Sequence, residues 1–112
     1  MLLVTKNATS LDEGVKNMMN GAKEDYISWT TDKDGNVSTY SQEQIKNWDN
    51  MVRVTQGKKY MKVVKENGVF AFIVKEDFKH FKKGDILKAA GFNAPALNKA
   101  RGNVLDGNYH VR

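Results

Sequence analysis

Two patterns in this chain bring together residue types that could do chemistry. The first is Asp32-Lys33-Asp34-Gly35-Asn36-Val37-Ser38, with Glu43 standing twelfth counting from Asp32. Oxygen donors at places one, three, five and twelve are what a calcium loop of the EF-hand type requires, because carboxylate and amide oxygens must converge on one hard cation. Val37 stands where such a loop has its glycine, Thr39 replaces the usual buried aliphatic, and no helical apolar stripe leads into Asp32. The sequence therefore favours a polar turn followed by a capped helix, with no metal.

The second pattern is a set of cations interleaved with rings. Lys58, Lys59 and Lys62 lead into a strand-like stretch, Lys79, Lys82 and Lys83 surround Phe78 and Phe81, and Lys99 and Arg101 follow on a later loop. Lysines neutralise phosphates without reading base sequence, and an exposed ring can stack on a splayed base. These eight residues are the candidate nucleic-acid contacts. Phe70 and Phe72 are expected in the core, and Phe78 and Phe81 in the core or at its edge.

Catalytic constellations are harder to assemble. His80 and His110 are the only histidines, and neither adjoins a serine or acid in a local catalytic motif. His80, within Lys79-His80-Phe81-Lys82, reads as part of the positive loop. The adjacent acids Asp12-Glu13, Glu24-Asp25 and Glu76-Asp77 read as solvated surface. The chain lacks the glycine-rich phosphate loop, the dinucleotide fingerprint and the His-Glu-x-x-His zinc helix, so no cofactor is implied and a non-enzymatic protein is expected.

Charge distribution sharpens the second pattern. Residues 1–57 carry six Lys/Arg against eight Asp/Glu, whereas residues 58–112 carry twelve against five, within a total of +5. The positive field thus belongs to the second half and suits nucleic acid or an acidic host protein as partner, with an attraction that salt weakens. Cysteine is absent, which excludes disulfide scaffolds and thiolate metal sites and is compatible with a reducing compartment. The opening Met-Leu-Leu-Val-Thr-Lys does not read as a secretory signal, and no basic amphipathic helix or lipidation motif is present, so no membrane role is expected.

The elements that must position these residues form one α+β domain over 1–112. Residues 1–57 read as a mixed helix and hairpin half, and 58–112 as a basic, β-rich half. Met1 to Lys6 reads as a short edge strand. Ser10-Leu11-Asp12-Glu13 is a capping box, and Leu11, Val15, Met18, Met19 and Ala22 mark one face of a helix ending near Asn20-Gly21. Ile27, Trp29 and Thr31, then Val37 and Thr39, alternate as in a hairpin around Asp34-Gly35. Ser41-Gln42-Glu43-Gln44 is a second capping box, opening a helix of three turns that packs by Trp48. Tyr60 to Val64 and Val69 to Val74 flank Asn67-Gly68, a hairpin that pairs Val63 with Phe72 and Met61 with Val74. Gly84 supplies an unusual backbone angle before a further strand at 85–88. A helical turn is possible at 94–100, and a last tight turn at Asp106-Gly107-Asn108 joins short strands at 104–105 and 109–111. The expected whole is two N-terminal helices and a hairpin packed with a C-terminal antiparallel meander or small, partly closed barrel.

Four blocks of the second half carry a resemblance. They are Lys58-Lys59-Tyr60-Met61-Lys62-Val63-Val64, Phe72-Ile73-Val74-Lys75, Phe81-Lys82-Lys83-Gly84-Asp85-Ile86-Leu87-Lys88-Ala89-Ala90, and Ala94-Pro95-Ala96 with Ala100-Arg101-Gly102-Asn103-Val104. Together, over roughly residues 58–104, the chain resembles a family of small, largely uncharacterised proteins of tailed bacteriophages. In that pattern a tryptophan often follows the Ala-Ala pair, and here Gly91-Phe92 keeps the ring one place later. The resemblance implies a phage product working in the host bacterial cytoplasm and carries no catalytic residue. The leading expectation is an accessory protein that binds nucleic acid without strong sequence preference. A modulator of a host polymerase or defence factor, and a virion structural component, are the alternatives.

Overall fold

Ser10 opens the longest helix of the molecule. Its backbone is extended and its hydroxyl accepts from the Glu13 amide at 3.2 Å. The Glu13 carboxylate turns back to the amide and hydroxyl of Thr9, one residue before the partner a capping box would use. The computed structural model describes residues 2–66 and 68–111. In it, helix α1 spans Leu11–Thr30. It does not stop at Asn20-Gly21, because Ala22, Asp25 and Tyr26 continue the inward face of Val15, Met18 and Met19 with helical spacing.

That continuation overturns the expected N-terminal hairpin. Ile27 and Trp29 belong to the last turns of α1, and only an isolated bridge joins Thr31 to Val37. The Asp32 carboxylate accepts from the amides of Asp34 and Asn36 at 2.9 and 2.8 Å, which closes a polar turn with Gly35 at φ 82°. Helix α2 spans Thr39–Lys46 and is capped by Ser38, whose hydroxyl accepts from the Ser41 amide, so the cap lies three residues earlier than predicted. Helix α3, Trp48–Met51, is a single turn that buries Trp48.

The strands are β1 (Leu2–Val4), β2 (Val52–Gln56), β3 (Tyr60–Lys65), β4 (Gly68–Val74), β5 (Asp85–Leu87), β6 (Ala89–Gly91), β7 (Ala94–Pro95), β8 (Gly102–Asn103) and β9 (Tyr109–Val111). Five of them form an antiparallel sheet in the order β2-β3-β4-β5-β8, with β2 and β8 as edges, so the meander is present and the sheet is open rather than closed into a barrel. β6 and β7 form a small hairpin where a helical turn was expected over 94–100. β9 pairs with β1 at the chain's other end and not with residues 104–105, so the last turn does not make a local hairpin.

The β3–β4 register also differs from the expectation. Lys65 pairs with Gly68, Met61 with Ile73 and Val63 with Ala71. Gly68 is therefore already in the strand, and Glu66 bends the chain with φ 56°; Asn67, the other residue of the predicted turn, lies outside the described residues. Val64 pairs with Val69 while Val63 pairs with Ala71, which leaves Phe70 unmatched in a bulge. Gly84 adopts φ 93°, and a Cβ there would lie 2.7 Å from Asn103 Oδ1, so this predicted glycine requirement is met.

Both faces of the sheet are covered over β3, β4 and β5, while β2 is largely exposed. On one, Met61, Val63, Ala71, Ile73 and Ile86 pack under α1 with Trp48, Val104 and Tyr109, joining residues of both halves in one core. On the other, Phe72, Val74 and Leu87 form a second cluster with Phe81, edged by Tyr60, Phe78 and Ala100. Phe72 and Phe81 are buried as expected, while Phe70 is half-buried.

Two stability predictions follow from this packing. A Cβ on Gly14 would sit 2.8 Å from Cβ and Cγ2 of the fully buried Val104. Replacing glycine in a helix normally gains up to about 1 kcal/mol, but overpacking costs about 1–3 kcal/mol. Gly14→Ala should therefore lower the melting temperature, whereas Asn20→Ala on the exposed face should raise it slightly; a stabilised Gly14→Ala would contradict the packing described. Tyr109 is 2% exposed, and its hydroxyl has no hydrogen-bond partner among the described residues. Burial pushes its phenol from 10.0 up to about 12. The neutral phenol is thus favoured in the folded state, so this contribution is complete below pH 10 and is lost as the pH rises towards 12. Tyr109→Phe should fold at least as stably at pH 7, because no buried bond is broken, and should flatten the decline in stability above pH 10 measured by denaturant titration.

Candidate functional site

Lys62 sits in the middle of β3, opposite the buried Phe72. Neighbours across a strand pair share a face, so its stem lies over the second apolar cluster and its charged end must reach water. It leaves beneath the β6–β7 hairpin. Its Nζ lies 3.5 Å from the ring centroid of Phe92 and donates to Asn93 Oδ1 at 3.0 Å. Phe92 is at the hairpin tip and is 56% exposed, so an open aromatic surface and a cation are presented together.

The other predicted cations border the same layer to different degrees. Tyr60 and Phe72, Tyr60 and Phe78, Phe78 and Phe81, and Phe81 and His80 form a chain of ring contacts with centroids 4.1 to 5.9 Å apart. Lys59 Nζ stands 5.5 Å from the Phe78 centroid. Lys79 occupies the turn closed by the Phe78–Phe81 bridge. His80 Nε2 donates to the Asn98 carbonyl at 3.0 Å, which brings the turn against the loop that carries Lys99. Lys59 and Lys62 thus bring their ammonium groups to rings, while Lys79 and Lys99 lie on backbone segments that border the aromatic layer.

Lys58, Lys82, Lys83 and Arg101 are exposed on adjoining turns. Among the described residues no ring contact ties their side chains to that layer. Carboxylates hold the backbone around two of them: Asp85 Oδ2 accepts from the Lys82 amide at 2.9 Å, and Asp77 Oδ1 from the Lys83 amide at 2.7 Å. Asn103 Nδ2 donates to Asp85 Oδ1 and to the Lys83 carbonyl, both at 2.9 Å. This end of the loop is fixed in shape, and its positive field is partly offset by the acids that fix it.

A second site has no counterpart among the residues selected from the sequence. Tyr26 and Trp29 of α1, Trp48 of α3 and Phe70 at the β4 bulge line a cleft of about 610 Å³, together with Asp25 and Lys65. The Tyr26 and Trp48 rings meet at 44° with centroids 5.7 Å apart. Lys65 Nζ lies over both, 4.5 Å from the Trp48 centroid and 5.6 Å from that of Tyr26. Trp29 is 78% exposed. The signal that could have found this cleft is the helical spacing of Ala22, Tyr26 and Trp29, which the alternation read at 27–31 concealed. Among the described residues no cluster of three or more histidine, cysteine or acidic side chains has metal-binding geometry, and no helix is long and apolar enough to cross a membrane.

Compared with known proteins, the chain matches no family model, no curated protein and no solved structure.

Proposed function

We propose that this protein is a non-enzymatic binding module that takes nucleic acid, without strong base preference, on the face formed by β3, the β6–β7 hairpin and the 76–83 turn. The observation that supports this reading most directly is Lys62 Nζ held 3.5 Å from the centroid of the exposed Phe92 ring. One Phe92 face is engaged by a cation, and the ring remains open enough to stack on an unpaired base while the ammonium meets the neighbouring phosphate. Lys59, Lys79 and Lys99 extend the positive surface along the aromatic layer. Nothing in this arrangement reads hydrogen-bonding edges of bases, so affinity should come from charge and stacking. A partly basic, ring-bearing face of this kind favours single strands, whose bases are free to stack.

The reading is tested by fluorescence anisotropy of a labelled single-stranded oligonucleotide at several salt concentrations. Phe92→Ala should weaken binding by about tenfold, the order expected for one lost base–aromatic stack. Lys62→Gln and Lys99→Gln should each lower the magnitude of the slope of log affinity against log salt by about 0.7, the signature of one lost phosphate contact on a single strand. Lys82→Ala with Lys83→Ala should have a smaller effect, because Asp77 and Asp85 stand beside them. Retention of full affinity and slope in the Phe92, Lys62 and Lys99 variants would reject the proposed face.

A further inference from the structure

The cleft between α1, α3 and β4 is lined with rings and carries charges of both signs, which packing alone does not require. Trp29 is 78% exposed, although an indole on an amphipathic helix would normally turn inward. Phe70 reaches the cleft because the bulge places Phe70 and Ala71 against the helical side in succession, while Val69 and Phe72 pack on the other face. The bulge thus adds Phe70 to rings supplied by two helices; Trp29 is open to a guest of modest size, while Trp48, 3% exposed, lies beneath Lys65.

The electrostatics of the cleft select the sign of that guest. Ring faces carry negative quadrupole charge and attract cations. The cleft lies beside the C-terminal turns of α1, whose last turn contains no basic residue, so the negative end of the helix dipole is not offset there. Asp25, engaged with a partner of its own, adds a carboxylate to the same wall. An ammonium is already drawn in: Lys65 Nζ stands over the Trp48 and Tyr26 rings at 4.5 and 5.6 Å. Lys65 occupies the place an external cation would take.

We infer that this cleft is an aromatic cage for an organic ammonium cation, and that Lys65 is its built-in competitor. The site is separate from the proposed nucleic-acid face, since Lys65 and Lys62 lie on opposite sides of β3, and it stands whether or not that reading does. The ligand class is an alkylated ammonium, because methyl groups spread the charge and lower the cost of leaving water while keeping the attraction to the rings.

Both tryptophans of the chain line the cleft, so intrinsic emission reports on it directly. Choline, and its uncharged carbon analogue 3,3-dimethyl-1-butanol, are titrated into the full chain and into the variants Lys65→Met and Lys65→Gln, with melting temperatures recorded beside them. Choline should shift the emission of the wild-type protein weakly and should bind both variants about tenfold more tightly, because the competing ammonium is gone while the rings remain. The uncharged analogue should bind at least tenfold less well than choline to each folded variant. Absence of any choline-dependent emission change in wild type and in both folded variants would overturn the inference. So would weaker binding after Lys65 is replaced, or equal binding of the uncharged analogue.

Discussion

Burial of both faces of the β3–β4 pair is the constraint on which the rest of the structure depends. A strand exposed on one side can alternate apolar and polar residues freely, but one covered on both sides must find an exit for every polar group it contains. β3 holds Lys62 and Lys65 among Met61, Val63 and Val64, all buried. Period-two geometry sends these lysines to opposite faces. Each takes its ammonium to an aromatic surface: Lys62 to Phe92 beyond the second cluster, Lys65 to Trp48 and Tyr26 beyond the first. The two candidate sites are thus the two exits that one doubly covered strand demands.

What covers each face decides the character of each exit. The 20 residues of α1 carry apolar contacts from Leu11 to Tyr26, and Trp29 is exposed in its last turn. The cleft at that end is therefore walled by side chains fixed on a helix, a helical turn and a strand. The opposite face is covered by short pieces: a bridge at Phe78 and Phe81, a two-stranded hairpin at 89–95, and the extended stretch to Arg101. Backbone bonds tie this cover down, with Gly84 donating to Val74, Ala96 to Lys88 and Arg101 to Ile86. This cover is a set of separate short segments, unlike the single long helix on the other face.

Much of this was legible in the residues, and the exceptions have particular causes. The Ser10 cap, the inward stripe from Leu11 to Ala22, the meander from β3 to β5 and the left-handed Gly84 follow from local rules that tertiary contacts did not override. The end of α1 was misread because Asn20-Gly21 resembles a stop while Ile27, Trp29 and Thr31 alternate as in a strand. The deciding signal was the continued helical spacing of Ala22, Asp25 and Tyr26, together with Thr30 and Thr31, whose hydroxyls donate to the Tyr26 and Ile27 carbonyls and finish the helix without a glycine. The β3–β4 register was misplaced because Gly68 drew the turn towards itself, although Glu66 takes the positive φ. The pairing of β1 with β9 joins opposite ends of the chain, and no local pattern announces so distant a contact. Of the candidate cations, Lys59 and Lys62 stand over rings; Phe92 and the cleft around Trp48 were missed because a hairpin tip and a bulge, rather than spacing, create them.

Net charge bears on the two exits in different ways. The surplus after Gly57 acts at a distance and is screened by salt. The environment of Lys65 is different in kind. There the ammonium of Lys65, from the basic half, lies within a few ångströms of two rings, beside a carboxylate and the uncompensated end of a helix, all of them from residues 1–57, where acids outnumber bases. Short-range terms of this sort are partly desolvated and decay over a single side-chain length, so the overall charge neither creates nor cancels them. A cationic molecule can accordingly carry a cation-attracting cleft on the reverse of an anion-attracting face. Two residues of one strand, Val63 and Val64, stand between Lys62 and Lys65, and the alternation of β3 turns the two lysines to opposite faces of the sheet.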